Sequence, residues 1–175
     1  MMKRLSTLLL ALFFLTALSA EAQPTWRHQV TFNAGPQFAT GTTGDLYKTG
    51  LAIDVGYYYR ASNAGFVGLA TGLHQFKGDA PGAADIDIIP LHAALKYNFS
   101  LTGIQPYVGG EGGLSIVSNG DSETKFGVAP RVGLRIPLAE GIDLDLNLKY
   151  NVIFNDPDNL TYVGANGGFS YILGR

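Results

Sequence analysis

The sequence predicts an all-β chain, an eight-stranded antiparallel up-and-down transmembrane β-barrel. Three observations lead there. Eight segments alternate apolar with polar or glycine residues over ten or more positions each. A period of two is the strand period, because successive side chains leave a strand on opposite sides. The segments exceed the roughly 5–6 residues of a usual soluble strand and suit the about 9–11 residues of a tilted membrane-crossing strand. Short and longer connections also alternate between them, as in a barrel with both termini on one side.

Residues 1–22 read as a signal peptide. Lys3 and Arg4 make a basic start, Leu8 to Leu18 is apolar apart from Thr16, and Ala20-Glu21-Ala22 supplies small residues for cleavage. The apolar run falls short of the about 20 residues that a spanning helix needs. Residues 23–175 are then one barrel domain. Losing Lys3, Arg4 and Glu21 takes 12 basic and 14 acidic residues to 10 and 13, a formal charge of −3. That balance does not suit nucleic acid. The chain has no cysteine, so disulfides, thiolate metal sites and a lipoprotein anchor are not expected. Its 23 glycines suit close backbone approach in a tightly curved sheet.

Strand one is expected over residues 26–38, with Trp26, Val30, Phe32, Ala34 and Phe38 on one face. Strand two covers 50–60, with Leu51, Ile53, Val55, Tyr57 and Tyr59 opposite Asp54, Gly56 and Arg60. Strand three covers 65–76, where Val67, Leu69 and Leu73 oppose Gly68, Ala70, Gly72 and His74. In strand four, 87–99, Ile89, Leu91, Ala93, Leu95, Tyr97 and Phe99 oppose His92, Lys96 and Asn98. Strand five, 105–117, is the richest in glycine. Strand six sets Phe126, Val128, Val132, Leu134 and Ile136 against Lys125, Arg131 and Arg135.

Strand seven, 142–154, has the cleanest pattern. Ile142, Leu144, Leu146, Leu148, Tyr150, Val152 and Phe154 share a face, and Asp143, Asp145, Asn147, Lys149 and Asn151 share the other. A helix would scatter those leucines around its circumference. Strand eight, 161–173, carries Val163, Ala165, Phe169, Tyr171 and Leu173. Tight turns fall near residues 62, 102 and 140, and outer loops at 39–48, 77–84, 118–124 and 155–160.

Alternation fits either a soluble carrier with its apolar face inward or a membrane barrel with that face on lipid. Long apolar stripes favour lipid. So do aromatics near strand ends, among them Trp26, Tyr57, Tyr59, Tyr97, Phe126, Tyr150, Tyr162 and Tyr171, which suit interfacial girdles. Glycines mixed with charges of both signs suit a narrow lumen. Closure would also satisfy the backbone hydrogen bonds that hydrocarbon cannot.

Gln105-Pro106-Tyr107-Val108-Gly109-Gly110-Glu111-Gly112-Gly113-Leu114-Ser115, residues 129–138, residues 144–154 and the glycine-bearing last strand resemble the bacterial outer membrane protein β-barrel domain family. The resemblance covers nearly all of residues 23–175. It implies an eight-stranded barrel in the outer membrane of a Gram-negative cell, with outer-membrane lipid and the barrel-assembly machinery as partners. Such chains often end on an aromatic residue read by that machinery. This one ends Tyr171-Ile172-Leu173-Gly174-Arg175, so Tyr171 would serve or a non-aromatic end be tolerated.

The polar face offers Asp54, Arg60, His74, Lys96, Glu111, Arg131, Arg135, Asp145 and Lys149, with Lys125 and Asp143 beside them. Eight strands leave an interior just wide enough for side chains. Unpaired buried charge is costly, so these groups are expected to form a structural network of ion pairs along the axis. No His-x-His pair is present among His28, His74 and His92. Lipid A deacylases place a His and a Ser close together on a strand, but His74-Gln75-Phe76 and His92-Ala93-Ala94 have no serine at i+2, which leaves only a triad assembled across strands. Gly109-Gly110-Glu111-Gly112-Gly113 lacks the Lys-Ser/Thr of a phosphate loop, and Asp156-Pro157-Asp158 lacks calcium-ligand spacing. The expected protein is a monomer without enzymatic activity, cofactor, metal or nucleic-acid partner. Its role is structural or surface-directed. A narrow solute channel and a soluble periplasmic carrier are the alternatives.

Overall fold

The computed structural model describes residues 27–80 and 84–173. The expected signal peptide, Trp26 and the Gly174-Arg175 end lie outside the described residues. The strands are β1 (His28–Thr40), β2 (Gly50–Arg60), β3 (Gly65–Phe76), β4 (Ile86–Asn98), β5 (Gln105–Asn119), β6 (Asp121–Ala139), β7 (Ile142–Ile153) and β8 (Leu160–Leu173). A short helix, α1 (Thr42–Leu46), follows β1. Each strand pairs antiparallel with the next, and β8 pairs with β1 to close the barrel.

The register fixes the shape. A path from Arg60 across successive partners runs Phe66, Lys96, Gly109, Arg131, Lys149, Gly164, Gln37 and back to β2 at Gly50. It returns ten residues along β2 from where it left. With about 3.3 Å per residue and about 4.8 Å between strands, that offset over eight strands tilts them roughly 40° from the axis, within the range of closed barrels.

The strands differ from the sequence expectation at their outer ends. β1 continues to Thr40, and the expected loop 39–48 contains α1. Residues 118–124, expected as a loop, belong to a paired hairpin whose ladder runs to Asn119↔Asp121. Gly120 alone makes the reversal, at φ 82°, a left-handed conformation that glycine adopts without strain. Ser118 and Ser122, which resemble turn residues in sequence, face one another across the ladder with hydroxyls 2.9 Å apart.

Outward residues are apolar and exposed, with Leu51, Leu69 and Leu95 each more than 60% accessible. Inward positions carry Gln29, Asn33, Asp54, His74, Lys96, Arg135 and Lys149, all buried. Glycines on the inner face make room for large inward rings. A Cβ on Gly68 would meet the Tyr57 carbonyl and the Tyr58 ring, and one on Gly133 would meet the Tyr107 ring.

The interior also departs from the all-polar expectation. Tyr162, expected in an outer girdle, points inward and is 1% exposed. It joins Phe76, Ile86, Ile88, Val117 and Ile153 in an apolar cluster inside the outer end of the barrel. Strand parity explains the correction, because Tyr162 alternates with the outward Val163 and shares its face with the inward Asn166.

These faces predict opposite outcomes for two neighbours on β7. Leu146→Arg should block membrane assembly, since arginine near the midplane of the lipid face costs about 2–4 kcal/mol. Asn147→Arg, on the inner face, should assemble better. Heat-dependent mobility of the envelope fraction on SDS gels reads the difference, and normal assembly of Leu146→Arg would contradict the assigned facing.

Candidate functional site

The lumen is the place where polar chemistry gathers, and the strand register brings its residues together. In the middle, Asp54 on β2 accepts a hydrogen bond from Lys149 on β7 at 2.9 Å, and His74 Nε2 on β3 lies 2.9 Å from the same oxygen. His74 Nδ1 is 2.7 Å from the Tyr162 hydroxyl, which links this network to the apolar cluster above it. Lys149 is also 3.6 Å from Glu111 on β5, and Arg131 on β6 pairs with Glu111 at 3.1 Å. Arg131 further donates to the Tyr58 hydroxyl.

Asp54, His74, Glu111, Arg131 and Lys149 thus form one connected group. The other four expected members sit nearer the end where the chain termini lie, with Lys96 sharing the Tyr58 and Tyr107 rings with Arg131. Arg135 lies directly opposite Asp145, yet it binds Asp143 with two of its nitrogens. Asp145 instead accepts from Tyr107 at 2.8 Å, Asn147 at 3.0 Å and Ser170 at 3.4 Å. Lys96 donates to Gln29 Oε1 at 2.7 Å. Its ammonium lies 4.4 Å from the Tyr58 ring centre, 4.9 Å from that of Phe66 and 5.4 Å from that of Tyr107. Arg60 covers the Phe66 ring at 5.1 Å. Lys125 lies near the outer end with Glu123 and Asn155.

Sequence reasoning passed over Tyr58, Phe66 and Tyr107. Parity could have found them, because Tyr58 sits between the outward Tyr57 and Tyr59. It also passed over Ser115, whose hydroxyl is 3.0 Å from His92 Nε2. His92 Nδ1 is 3.9 Å from Glu111, so the residue types of a hydrolytic triad meet across β4 and β5. The arrangement lacks access. Ser115 is fully buried, and the Glu111 carboxylate is engaged by Arg131 and Lys149. A triad needs a site where a reacting carbonyl can sit beside the nucleophile. Among the described residues, no group of three or more His, Asp and Glu is arranged to hold a metal ion.

A largely polar, buried interior inside an apolar exterior is the arrangement of a lipid-embedded barrel, and a family comparison agrees. Residues 5–172 match the model for the outer membrane protein beta-barrel domain. The chain belongs to that family. Its place is the outer membrane, where the exposed leucine face meets lipid. A soluble carrier would need that face turned inward.

Solved structures of outer membrane protein β-barrels share its fold. Neisserial surface protein A is 19% identical, with a TM-score of 0.67 over 82% of this chain and 96% of that one. The outer membrane protein OprG of Pseudomonas aeruginosa is 14% identical, with a TM-score of 0.60 over 87% and 99%. The N-terminal barrel domain of OprF from the same organism is 14% identical, with a TM-score of 0.52 over 83% and 99%. At these identities the likeness is one of fold alone. No curated protein matches the sequence.

The central network makes a quantitative prediction. Lys149→Met leaves Asp54 and Glu111 each short of a buried cation, and breaking a buried pair costs about 3–5 kcal/mol. Lys149→Met with Asp54→Asn removes charge of both signs and should recover part of that loss. Urea unfolding of the barrel in lipid bilayers measures both, and equal stability of the single and double variants would contradict the pairing.

Proposed function

We propose that this protein is a non-enzymatic component of the outer membrane that acts through its outer surface and does not pass solutes. The observation that carries this reading is the filled lumen. The charged belt occupies its middle, and the apolar cluster around Tyr162 and Phe76 closes its outer end. A hydrophobic constriction of this kind excludes water and ions.

The outer connections support a surface role because they are tied together. The backbone N–H of Lys48 donates to the Lys77 carbonyl at 2.9 Å, and that of Asp79 donates to the Leu46 carbonyl at 3.0 Å. Asn119 Nδ2 reaches the Tyr47 hydroxyl at 3.3 Å. Thr43 Oγ1 accepts from the Thr161 backbone N–H at 3.0 Å, which fastens α1 to β8. The result is a short platform with Leu46 exposed on it, suited to contact with another surface. Export by a cleaved signal peptide, recognition by the barrel-assembly machinery and a monomeric state complete the proposal.

Two measurements test it. Purified barrels in planar bilayers should give no stepwise conductance; regular openings would favour the narrow-channel alternative. Replacing residues 42–46 with a Gly-Ser segment should leave a heat-modifiable barrel. That variant should fail to restore the phenotype of a deletion strain, and full restoration would contradict the surface role.

A further inference from the structure

Strand lengths differ at the outer end of the barrel, and the difference leaves backbone groups unpaired. β6 starts at Asp121, but its pairing with β7 begins only at Gly127↔Ile153. The Phe154 N–H donates to the Phe126 carbonyl at 2.9 Å, and the chain then turns away toward β8. Residues 121–125 keep β5 on one side, where the ladder runs on to Asn119↔Asp121. On their other side, among the described residues, no strand pairs with them.

Alternation says which groups are left over. The N–H and C=O of one residue in an antiparallel strand point to the same neighbour, and those of the next residue point to the opposite one. Phe126 points toward β7, so Thr124 and Ser122 point that way too. Their N–H and C=O groups form the open edge, and those of Glu123 and Lys125 belong to the ladder with β5. Ser122, Glu123 and Thr124 are all exposed.

The edge stands in water. Phe126 and Phe154 stack on the outside of the barrel with ring centres 6.1 Å apart, as aromatic residues do at the membrane boundary. Residues 121–125 continue beyond that level. An open edge there is a template for another strand, and proline, bulges and lysine are its usual guards. Neither a proline nor a bulge occurs between Asp121 and Lys125. Lys125 is itself held by Glu123 and Asn155.

Side chains select the occupant. By strand parity, Asp121 and Glu123 share one face of the edge, and Ser122, Thr124 and Phe126 share the other. We infer that this edge takes up an extended segment of another protein as an added antiparallel strand, one that alternates basic with apolar residues. Its basic side chains face Asp121 and Glu123, and its apolar ones face Thr124 and Phe126. A second copy does not suit, because barrels in one membrane rise in the same direction and their β6 ends cannot meet antiparallel. The inference rests on the surface role proposed above and gives that role a partner and a place.

The test uses the protein in phosphatidylcholine nanodiscs and a fluorescein-labelled octapeptide of alternating lysine and valine, read by fluorescence anisotropy. Binding should saturate. N-methylation of the valines, the residues opposite Ser122 and Thr124, should abolish it by removing the donors of the added strand. Thr124→Pro should still give a heat-modifiable barrel, because the lost N–H lies outside the β5 ladder. It should weaken binding about tenfold or more, since the ring removes an edge donor. Glu123→Lys keeps the edge backbone; it should weaken the lysine peptide and favour one of alternating glutamate and valine. Absence of saturable binding, or equal binding of the N-methylated peptide, would overturn the edge as a docking site, as would an unchanged preference in Glu123→Lys. The deletion-strain assay reads the surface role by itself, so the two readings fail separately.

Discussion

Closure of the ladder between β1 and β8 is the constraint on which the rest of this molecule depends. It removes every sheet edge within the membrane, and in hydrocarbon an open edge would leave unpaired N–H and C=O groups at several kcal/mol each. Closure at this register, ten residues offset around eight strands, also sets the tilt and the bore. The bore in turn decides what fits inside. Large inward rings such as Tyr58 and Tyr107 are admitted where glycines face them, so Gly56, Gly68 and Gly133 follow from the narrowness of the cylinder.

The interior is then layered by chemistry. A charged belt in the middle is held by pairs that cross the lumen, such as Lys149 with Asp54. Such pairs return little net stability against burying two apolar groups, but each partner makes the other's burial tolerable. Above the belt, Tyr162 is the hinge between two environments: its hydroxyl meets His74 and its ring packs on Phe76. Below the belt, aromatic faces take the place of carboxylates around Lys96, an arrangement that favours a cation electrostatically without neutralising it. The outer end is therefore apolar, whereas the periplasmic end is polar.

Much of this was legible in the sequence. Alternation over residues 142–154 sorted β7 into lipid-facing and lumen-facing residues, position by position, because the strand period leaves no freedom once one residue is placed. The pairing inside the lumen was not legible. Lys149 and Asp54 are 95 residues apart on strands that are not neighbours, and only closure brings them together. Even across the β6–β7 hairpin, the straight partner of Arg135 is Asp145, yet the ion pair forms diagonally with Asp143 beside a register shift at Pro137/Ala139. The hairpin at Gly120 was misread because Ser-Asn-Gly-Asp-Ser carries turn residues on both sides of a reversal that one glycine completes.

The central claim is that one closed cylinder faces lipid with its apolar residues and keeps its charges inside. The absence of native cysteine permits a direct measurement. Single cysteines introduced at each position from 143 to 150 would carry a nitroxide spin label in reconstituted bilayers, and collisions with dissolved oxygen and with a water-soluble nickel chelate would be compared. The account predicts a strict period of two, with labels at Leu144, Leu146, Leu148 and Tyr150 reached by oxygen and those at Asp145, Asn147 and Lys149 reached poorly by either agent. A reversed phase, or nickel access at every position, would contradict it.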